Sequence, residues 1–194
     1  MKNTKLNKPN LPVLSAGIFT VAALRILMAP YPNIEPVMLF TLTAGLAGGP
    51  VAGFLMGALS MILSNVFMMS GGLTFPWLLQ MPLVSLYTSL TYGLVGALAG
   101  IFGFFKKDWK RVELTLLAAS LTIFYDLVTC ICFALQFYGP GGIGMALVAQ
   151  VPFTVLHLSN AVFAFLFAPY LLRATTKVKD YSISSFLKSL RIQV

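Results

Sequence analysis

The chain has 194 residues, of which 58% are hydrophobic and 9% carry a charged side chain, with a formal net charge of +8. Because soluble domains carry about 25% charged residues, this composition excludes a soluble globular protein. It predicts one integral membrane domain with no second, soluble domain. The sequence contains no GxxxxGK[ST], HExxH or GxSxG motif, so neither the usual ATP-binding loop nor those hydrolase sites are expected.

The first predicted helix follows a basic tail at residues 1–10 and occupies the apolar run Leu11–Ala29. The tail and run together look like a signal peptide. However, the run is long enough to cross a bilayer, which takes roughly 20 residues, and no small-residue cleavage site precedes the next loop. We therefore expect a retained helix.

A polar loop with the sequence APYPNIEP, residues 29–36, separates this helix from the next apolar run, Val37–Met69. That run is long for one crossing and short for two. The segment GLAGGP, residues 45–50, interrupts it with glycines and a proline, which break helices. We predict two short helices, the second and third, on either side of this break.

Three more apolar runs follow, and each predicts one helix: Trp77–Phe105, Val112–Phe137 and Gly144–Leu172. The basic loop KKDWKR, residues 106–111, separates the first two, and YGPGGI, residues 138–143, separates the last two. The basic tail 173–194 suits either a short amphipathic helix on the membrane surface or a disordered segment.

The distribution of positive charge predicts the topology. Of the 13 lysines and arginines, all except Arg25 lie in the N-terminal tail, the 106–111 loop or the C-terminal tail. Cytoplasmic loops are enriched in these residues, so all three segments are predicted to be cytoplasmic and to attract anionic lipid rather than nucleic acid. The predicted fold is an all-α membrane protein with six transmembrane helices, short helices 2 and 3, and both termini cytoplasmic. Its parts are a tail at 1–10, a substrate-binding domain at 11–172 and a tail at 173–194.

Polar side chains within the apolar runs gather in the half of the bilayer away from the basic loops. Such residues are costly in a membrane and are therefore candidates for function. A channel or proton path would need them through the whole thickness, whereas this one-sided set resembles the lining of a pocket open to the outside. The candidate substrate-binding residues are Arg25, Tyr31, Asn33, Glu35, Asn65, Trp77, Gln80, Tyr87, Asp126, Gln150, His157 and Asn160.

Each candidate also has a structural interpretation. Arg25 and Glu35 are as well explained by an ion pair with each other as by ligand contacts. Asp126 has no basic neighbour on its own helix, and burial favours a neutral carboxyl. The single histidine, His157, is more typical of a hydrogen-bonded core residue than of a metal ligand, and no metal or cofactor is predicted. Aromatic residues such as Tyr31 and Trp77 are also common at membrane interfaces.

Small residues recur at helical spacing in two regions. The four-residue spacing of Gly45, Gly49, Gly53 and Gly57, repeated by Gly96 and Gly100, predicts close helix packing. A second stripe on the first helix consists of Ala16, Thr20 and Ala23. This stripe suits either internal packing or the binding of a partner helix.

The segments PNIEP, AGLAGGPVAGFLMGALSMILSN, FPWLLQM and YGLVGALAG resemble the substrate-binding S component of an energy-coupling factor (ECF) transporter. The resemblance covers essentially the whole chain and is densest from Pro32 to Gly100. It implies a non-enzymatic subunit in the plasma membrane of a prokaryote that captures a vitamin or related micronutrient at its outer side, with the 29–36 loop as a lid.

The resemblance also implies partners. A loaded S component docks on a transmembrane coupling subunit that is driven by two cytoplasmic ATPases, and it is thought to topple in the membrane to release its cargo. The family's first helix usually carries an alanine-xxx-alanine face for the coupling subunit. Here the matching positions are Ala16 and Thr20, so the spacing is kept and the second alanine is not.

Two other functions remain open from the sequence. A stand-alone secondary transporter would couple uptake to a proton through Asp126 or His157, although no internal repeat of the kind common in such proteins is evident. An intramembrane enzyme would use the same two residues as acid and base, but the sequence supplies neither a nucleophile nor paired metal ligands.

Overall fold

The structure is a computed structural model that describes residues 11–31, 36–70 and 82–180, with side chains described except at 69–70 and 176–180. Within these ranges the chain forms helices and turns without a β-strand. The helices are α1 (Leu11–Leu27), α2 (Val37–Gly48), α3 (Pro50–Ser70), α4 (Pro82–Phe105), α5 (Arg111–Phe137), α6 (Ile143–His157) and α7 (Ser159–Asp180), with a 3-10 turn at Pro140–Gly142.

Four segments of the described chain are long and apolar enough to cross a membrane: Pro50–Met68, Pro82–Phe105, Arg111–Phe137 and Pro140–Thr175. The shorter helices α1 and α2 are also apolar. Large apolar side chains are exposed along the bundle, among them Phe19, Leu59, Leu94, Leu116 and Val151. Such an outer surface suits lipid rather than water, as the composition predicts.

The predicted break between the second and third helices is confirmed at Gly49. This residue has a φ of 90°, which glycine adopts without steric cost. Pro50 then begins α3 at the first helical position, where its missing N–H is harmless. Because the turn uses a single residue, α2 has 12 residues and α3 has 21. The prediction of a short second helix is therefore confirmed, and that of a short third helix is wrong.

Glycines bring α2, α3 and α4 into backbone contact. A Cβ added to Gly53 or Gly96 would overlap the backbone of the other residue, and one added to Gly45 would lie 2.9 Å from the Cβ of Ala99. This confirms close helix packing at these glycines, whereas Gly49 of the same spacing forms the turn. Similarly, Gly100 lies against Pro50, so the end of α4 meets the start of α3 and the two helices are antiparallel.

The remaining contacts give the direction of each helix. Gly17 lies against Met56, and Arg25 bonds to Ser64, so α1 runs parallel to α3. The side chain of Arg111, at the start of α5, donates to the hydroxyl of Tyr170 on α7 over 3.1 Å. The starts of α1, α3 and α5 and the ends of α2, α4 and α7 therefore share one end of the bundle, which we call the basic end.

The last predicted helix is divided in two, which the sequence analysis did not predict. The chain turns at Leu158 between α6 and α7. The N–H of Leu158 still donates to the carbonyl of Thr154 at 3.0 Å, and its own carbonyl accepts from the N–H of Ala161 at 2.9 Å. These bonds keep the chain close to helical pitch through the turn. The described helix α7 also continues past residue 172 to Asp180, beyond the predicted end of the membrane domain.

Candidate functional site

Asp126 and His157 form a buried pair in the middle of the bundle. The Nδ1 of His157 lies 2.6 Å from the Oδ1 of Asp126, and the two residues are 9% and 2% exposed. Asp126 lies fifteen residues into α5, about 22 Å along it at 1.5 Å per residue. A carboxylate accepts hydrogen bonds and an imidazole N–H donates them, so the distance suits a bond from Nδ1–H to Oδ1. The sequence indicates no partner for Asp126, because that partner lies on another helix.

The α6–α7 turn positions the histidine of this pair. His157 is the last residue of α6 and is buried. The two residues before it, Val155 and Leu156, are exposed. The bond to Asp126 therefore joins the end of α6 to the centre of α5. A hydrogen-bonded histidine is what the sequence favoured, but the turn that places it was not predicted.

More polar atoms are buried within about one helical turn of the pair along the chain. Thr122, Asp126 and Asn160 are each 2% exposed or less. Thr122 Oγ1, Asp126 Oδ2 and Asn160 Oδ1 have no hydrogen-bond partner among the described residues. A buried polar group without a partner costs about 1–3 kcal/mol. Such a cluster is typical of a site that receives a polar ligand.

Two tyrosines border the same cluster. The rings of Tyr92 on α4 and Tyr125 on α5 have centroids 4.3 Å apart. The Tyr125 ring also lies edge-on to the His157 ring, with centroids 6.2 Å apart. Neither tyrosine was predicted as a site residue, although Tyr125 adjoins Asp126 in the sequence.

A second polar network lies toward the end of the bundle opposite the basic end. The Nη1 of Arg25 donates to Asn65 Oδ1 at 2.7 Å and to Ser64 Oγ at 2.9 Å. The Nδ2 of Asn65 donates to Ser85 Oγ at 2.8 Å. Arg25 and Asn65 were predicted, and the network joins them across α1, α3 and α4. The serines were missed, because single hydroxyls are common in membrane helices and carry little signal.

The other predicted binding residues are less well placed or not described. Tyr31 is 63% exposed. Tyr87 is partly buried, and its phenol oxygen has no partner among the described residues. Gln150 is partly buried on α6. Four candidates lie outside the described residues: Asn33, Glu35, Trp77 and Gln80. The predicted lid and the alternative of an Arg25–Glu35 ion pair therefore stay predictions.

The small-residue stripe on α1 faces away from the bundle. Ala16, Thr20 and Ala23 are all exposed, and the Thr20 hydroxyl donates to the Ala16 carbonyl of its own helix at 2.8 Å. This exposure favours the second of the two interpretations that the sequence allowed, the binding of a partner helix. The face is available to lipid or to another protein.

The described part of the chain contains no group of three or more histidine, cysteine or acidic residues placed to hold a metal ion. Cys130 and Cys132 are free cysteines.

Comparison of the chain with protein-family models, with curated proteins and with solved structures gave no match in any of the three.

Proposed function

We propose that this protein is the substrate-binding S component of an ECF-type importer in the plasma membrane of a prokaryote. It captures a vitamin or a related micronutrient from outside. A transmembrane coupling subunit and two ATPase subunits then drive transport, and the chain itself is not an enzyme. The resemblance in sequence motivates this proposal, and two features of the structure support it.

The observation that carries the proposal is the buried polar cluster around Asp126. Thr122, Asp126 and Asn160 each keep a polar atom without a partner in the described residues, deep in an otherwise apolar bundle. Pockets for small molecules combine apolar walls with a few convergent polar groups. The Arg25 network lies on the side away from the basic end, which is where an outward-facing entrance is expected.

The exposed stripe on α1 supports the docking step. Membrane helices associate through small residues because these let two backbones approach closely. Ala16, Thr20 and Ala23 present such a face outside the bundle. A coupling subunit is the partner that the proposed function assigns to it.

The experiment places a bulky residue on this face. Ala16→Leu or Thr20→Leu should abolish ATP-dependent uptake into liposomes that contain the coupling module. The small molecule that co-purifies with the protein, measured by native mass spectrometry, should remain. Ser15→Leu is the matched control: Ser15 is also exposed but lies about 100° around the helix from Ala16, so uptake should persist. Normal uptake by the Ala16 and Thr20 variants would contradict the proposal.

A stand-alone proton-coupled transporter is the second candidate, because the buried Asp126–His157 pair could exchange a proton. Intramembrane carboxylates and histidines serve as proton relays in transporters. Uptake that an uncoupler abolishes, and that persists in liposomes without any ATPase, would favour this candidate over the first.

A further inference from the structure

The cluster around Asp126 consists of two pairs of residues on two segments that the Asp126–His157 bond joins. Thr122 and Asp126 are one turn apart on α5, so both lie on the same face of that helix. His157 and Asn160 are three residues apart across the α6–α7 turn, where hydrogen bonds keep the chain near helical pitch. Because α5 and α7 are antiparallel and Asp126 bonds to His157, Asn160 lies near the level of Thr122.

The atoms without partners in this cluster are mainly acceptors. Oδ1 of Asp126 bonds to His157, whereas Oδ2 has no partner among the described residues. The amide oxygen Oδ1 of Asn160 also lacks a partner there. An ionised carboxylate oxygen and an amide oxygen accept hydrogen bonds and cannot donate them. The Thr122 hydroxyl can do either. A ligand that satisfies all three atoms must therefore bring N–H or O–H donors.

The charge of the site selects among such donors. Asp126 is a buried acidic residue, and the arginine of the neighbouring network, Arg25, is bonded to Ser64 and Asn65 on α3. With Asp126 ionised and His157 neutral, an anion placed against Oδ2 would meet a like charge at low dielectric, where the repulsion is strong. A cation would instead form a charge-assisted hydrogen bond with Oδ2, which is about twice as strong as a neutral one.

The aromatic border favours a flat cation. The ring of Tyr125 lies edge-on to that of His157, the partner of Asp126, with centroids 6.2 Å apart, and packs on Tyr92 at a centroid distance of 4.3 Å. Aromatic faces attract cations through the ring quadrupole and stack on planar groups. An amidinium or a protonated amino-heterocycle matches both the acceptors and the rings.

We infer that the Asp126–Asn160 site binds a planar, positively charged, N–H-donating part of the substrate, such as an amidinium or amino-heterocycle cation, and discriminates against carboxylates and phosphates. This inference deepens the proposed function and rests on it, since it takes the cluster to be the substrate site.

Three probes of nearly equal shape test the inference: benzamidine (a cation), benzamide (neutral) and benzoate (an anion). Their binding to the purified full-length protein in detergent is measured by calorimetric titration up to millimolar concentration. Benzamidine should bind about tenfold or more tightly than benzoate, as expected for a hydrogen bond to a charged group, with benzamide between them. Equal or tighter binding of benzoate overturns the inference, and so does a failure of benzamidine to bind at millimolar concentration.

Substitutions test whether benzamidine binds at Asp126. Asp126→Asn keeps an acceptor for His157 and removes the charge, so this variant should bind benzamidine about tenfold more weakly. Glu113→Gln is the matched control. It makes the same chemical change at the basic end, where Glu113 pairs with Lys106 at 2.6 Å, and it should leave binding unchanged. Unchanged binding by Asp126→Asn overturns the inference. If that variant does not fold, Thr122→Val, which keeps the side-chain shape, should weaken benzamidine binding, and unchanged binding there overturns it equally.

Different results would contradict the cation site and the importer function. A carboxylate or phosphate that co-purifies in the site while the Ala16→Leu result holds would overturn the inference and leave the importer standing. Benzamidine selectivity without any ATP-dependent uptake would support the chemistry of the site and contradict the importer.

Discussion

At the scale of single residues, the Asp126–His157 pair is a buried polar contact between two helices of an apolar bundle. Both side chains are buried, and each satisfies part of the other's hydrogen-bonding capacity. Breaking a buried pair by removing one partner is costly, because the other is left without compensation. Replacing both partners by apolar residues of similar size is often close to neutral.

We therefore expect His157→Leu to lower the free energy of unfolding by about 3 kcal/mol. The Asp126→Leu, His157→Leu double variant should recover most of that loss, since no buried charge remains. Unfolding of the purified protein by a denaturing detergent, followed by circular dichroism, gives both values. A double variant less stable than His157→Leu alone would show that the pair stabilises the fold rather than serving the site.

The residue types in the site were largely predictable, and their partners were not. Asp126, His157 and Asn160 stand out because polar residues are rare in apolar helices. Ser64 and Ser85 do not stand out, and only the bonds from Arg25 and Asn65 reveal them. Likewise, nothing in the sequence around Tyr92 indicates that its ring packs on Tyr125.

At the scale of helices, glycine spacing decides how closely α2, α3 and α4 approach. Gly53 and Gly96 contact each other through their backbones, so there is no flexible side chain that could move aside. Overpacking of a well-packed core typically costs about 1–3 kcal/mol. Because a Cβ added at Gly53 or Gly96 would meet backbone atoms, we expect a cost at the upper end of that range.

We expect Gly96→Ala to destabilise the protein by about 3 kcal/mol, measured as a fall in the midpoint of detergent unfolding. Gly144→Ala is the matched control on α6, where an added Cβ would meet no atom within 4 Å. It should leave stability unchanged or raise it by up to about 1 kcal/mol, because alanine favours helix. Equal effects of the two substitutions would mean that the three helices do not pack through their glycines.

At the scale of the whole molecule, the directions of the helices agree with the distribution of charge. The basic loop at 106–111 joins α4 to α5 at the end where α7 finishes, and Arg111 bonds to Tyr170 there. The turn at Pro140–Gly142 lies at the other end of α5. The positive-inside rule then predicts that the first loop is cytoplasmic and the second external.

Cysteine labelling tests this orientation. With Cys130 and Cys132 replaced by alanine, Gly141→Cys should react with a membrane-impermeant maleimide in intact cells. Asp108→Cys should react only after the cells are permeabilised. Both positions are exposed, so accessibility depends on the side of the membrane rather than on burial. The reverse pattern would invert the topology and place the Arg25 network on the cytoplasmic side.

The sequence by itself determined the class of this protein, its helical content and the break at Gly49, because hydropathy, charge and glycine–proline chemistry act over a few neighbouring residues. It also identified most of the polar residues of the site. Only the tertiary structure decided which of them meet: Asp126 with His157, 31 residues away, and Arg25 with Asn65, 40 residues away. The physical reason is that helices in a membrane are apolar on every side, so hydrophobic periodicity does not orient them. Their faces are chosen instead by close packing of small residues and by buried hydrogen bonds, which join positions far apart in the chain.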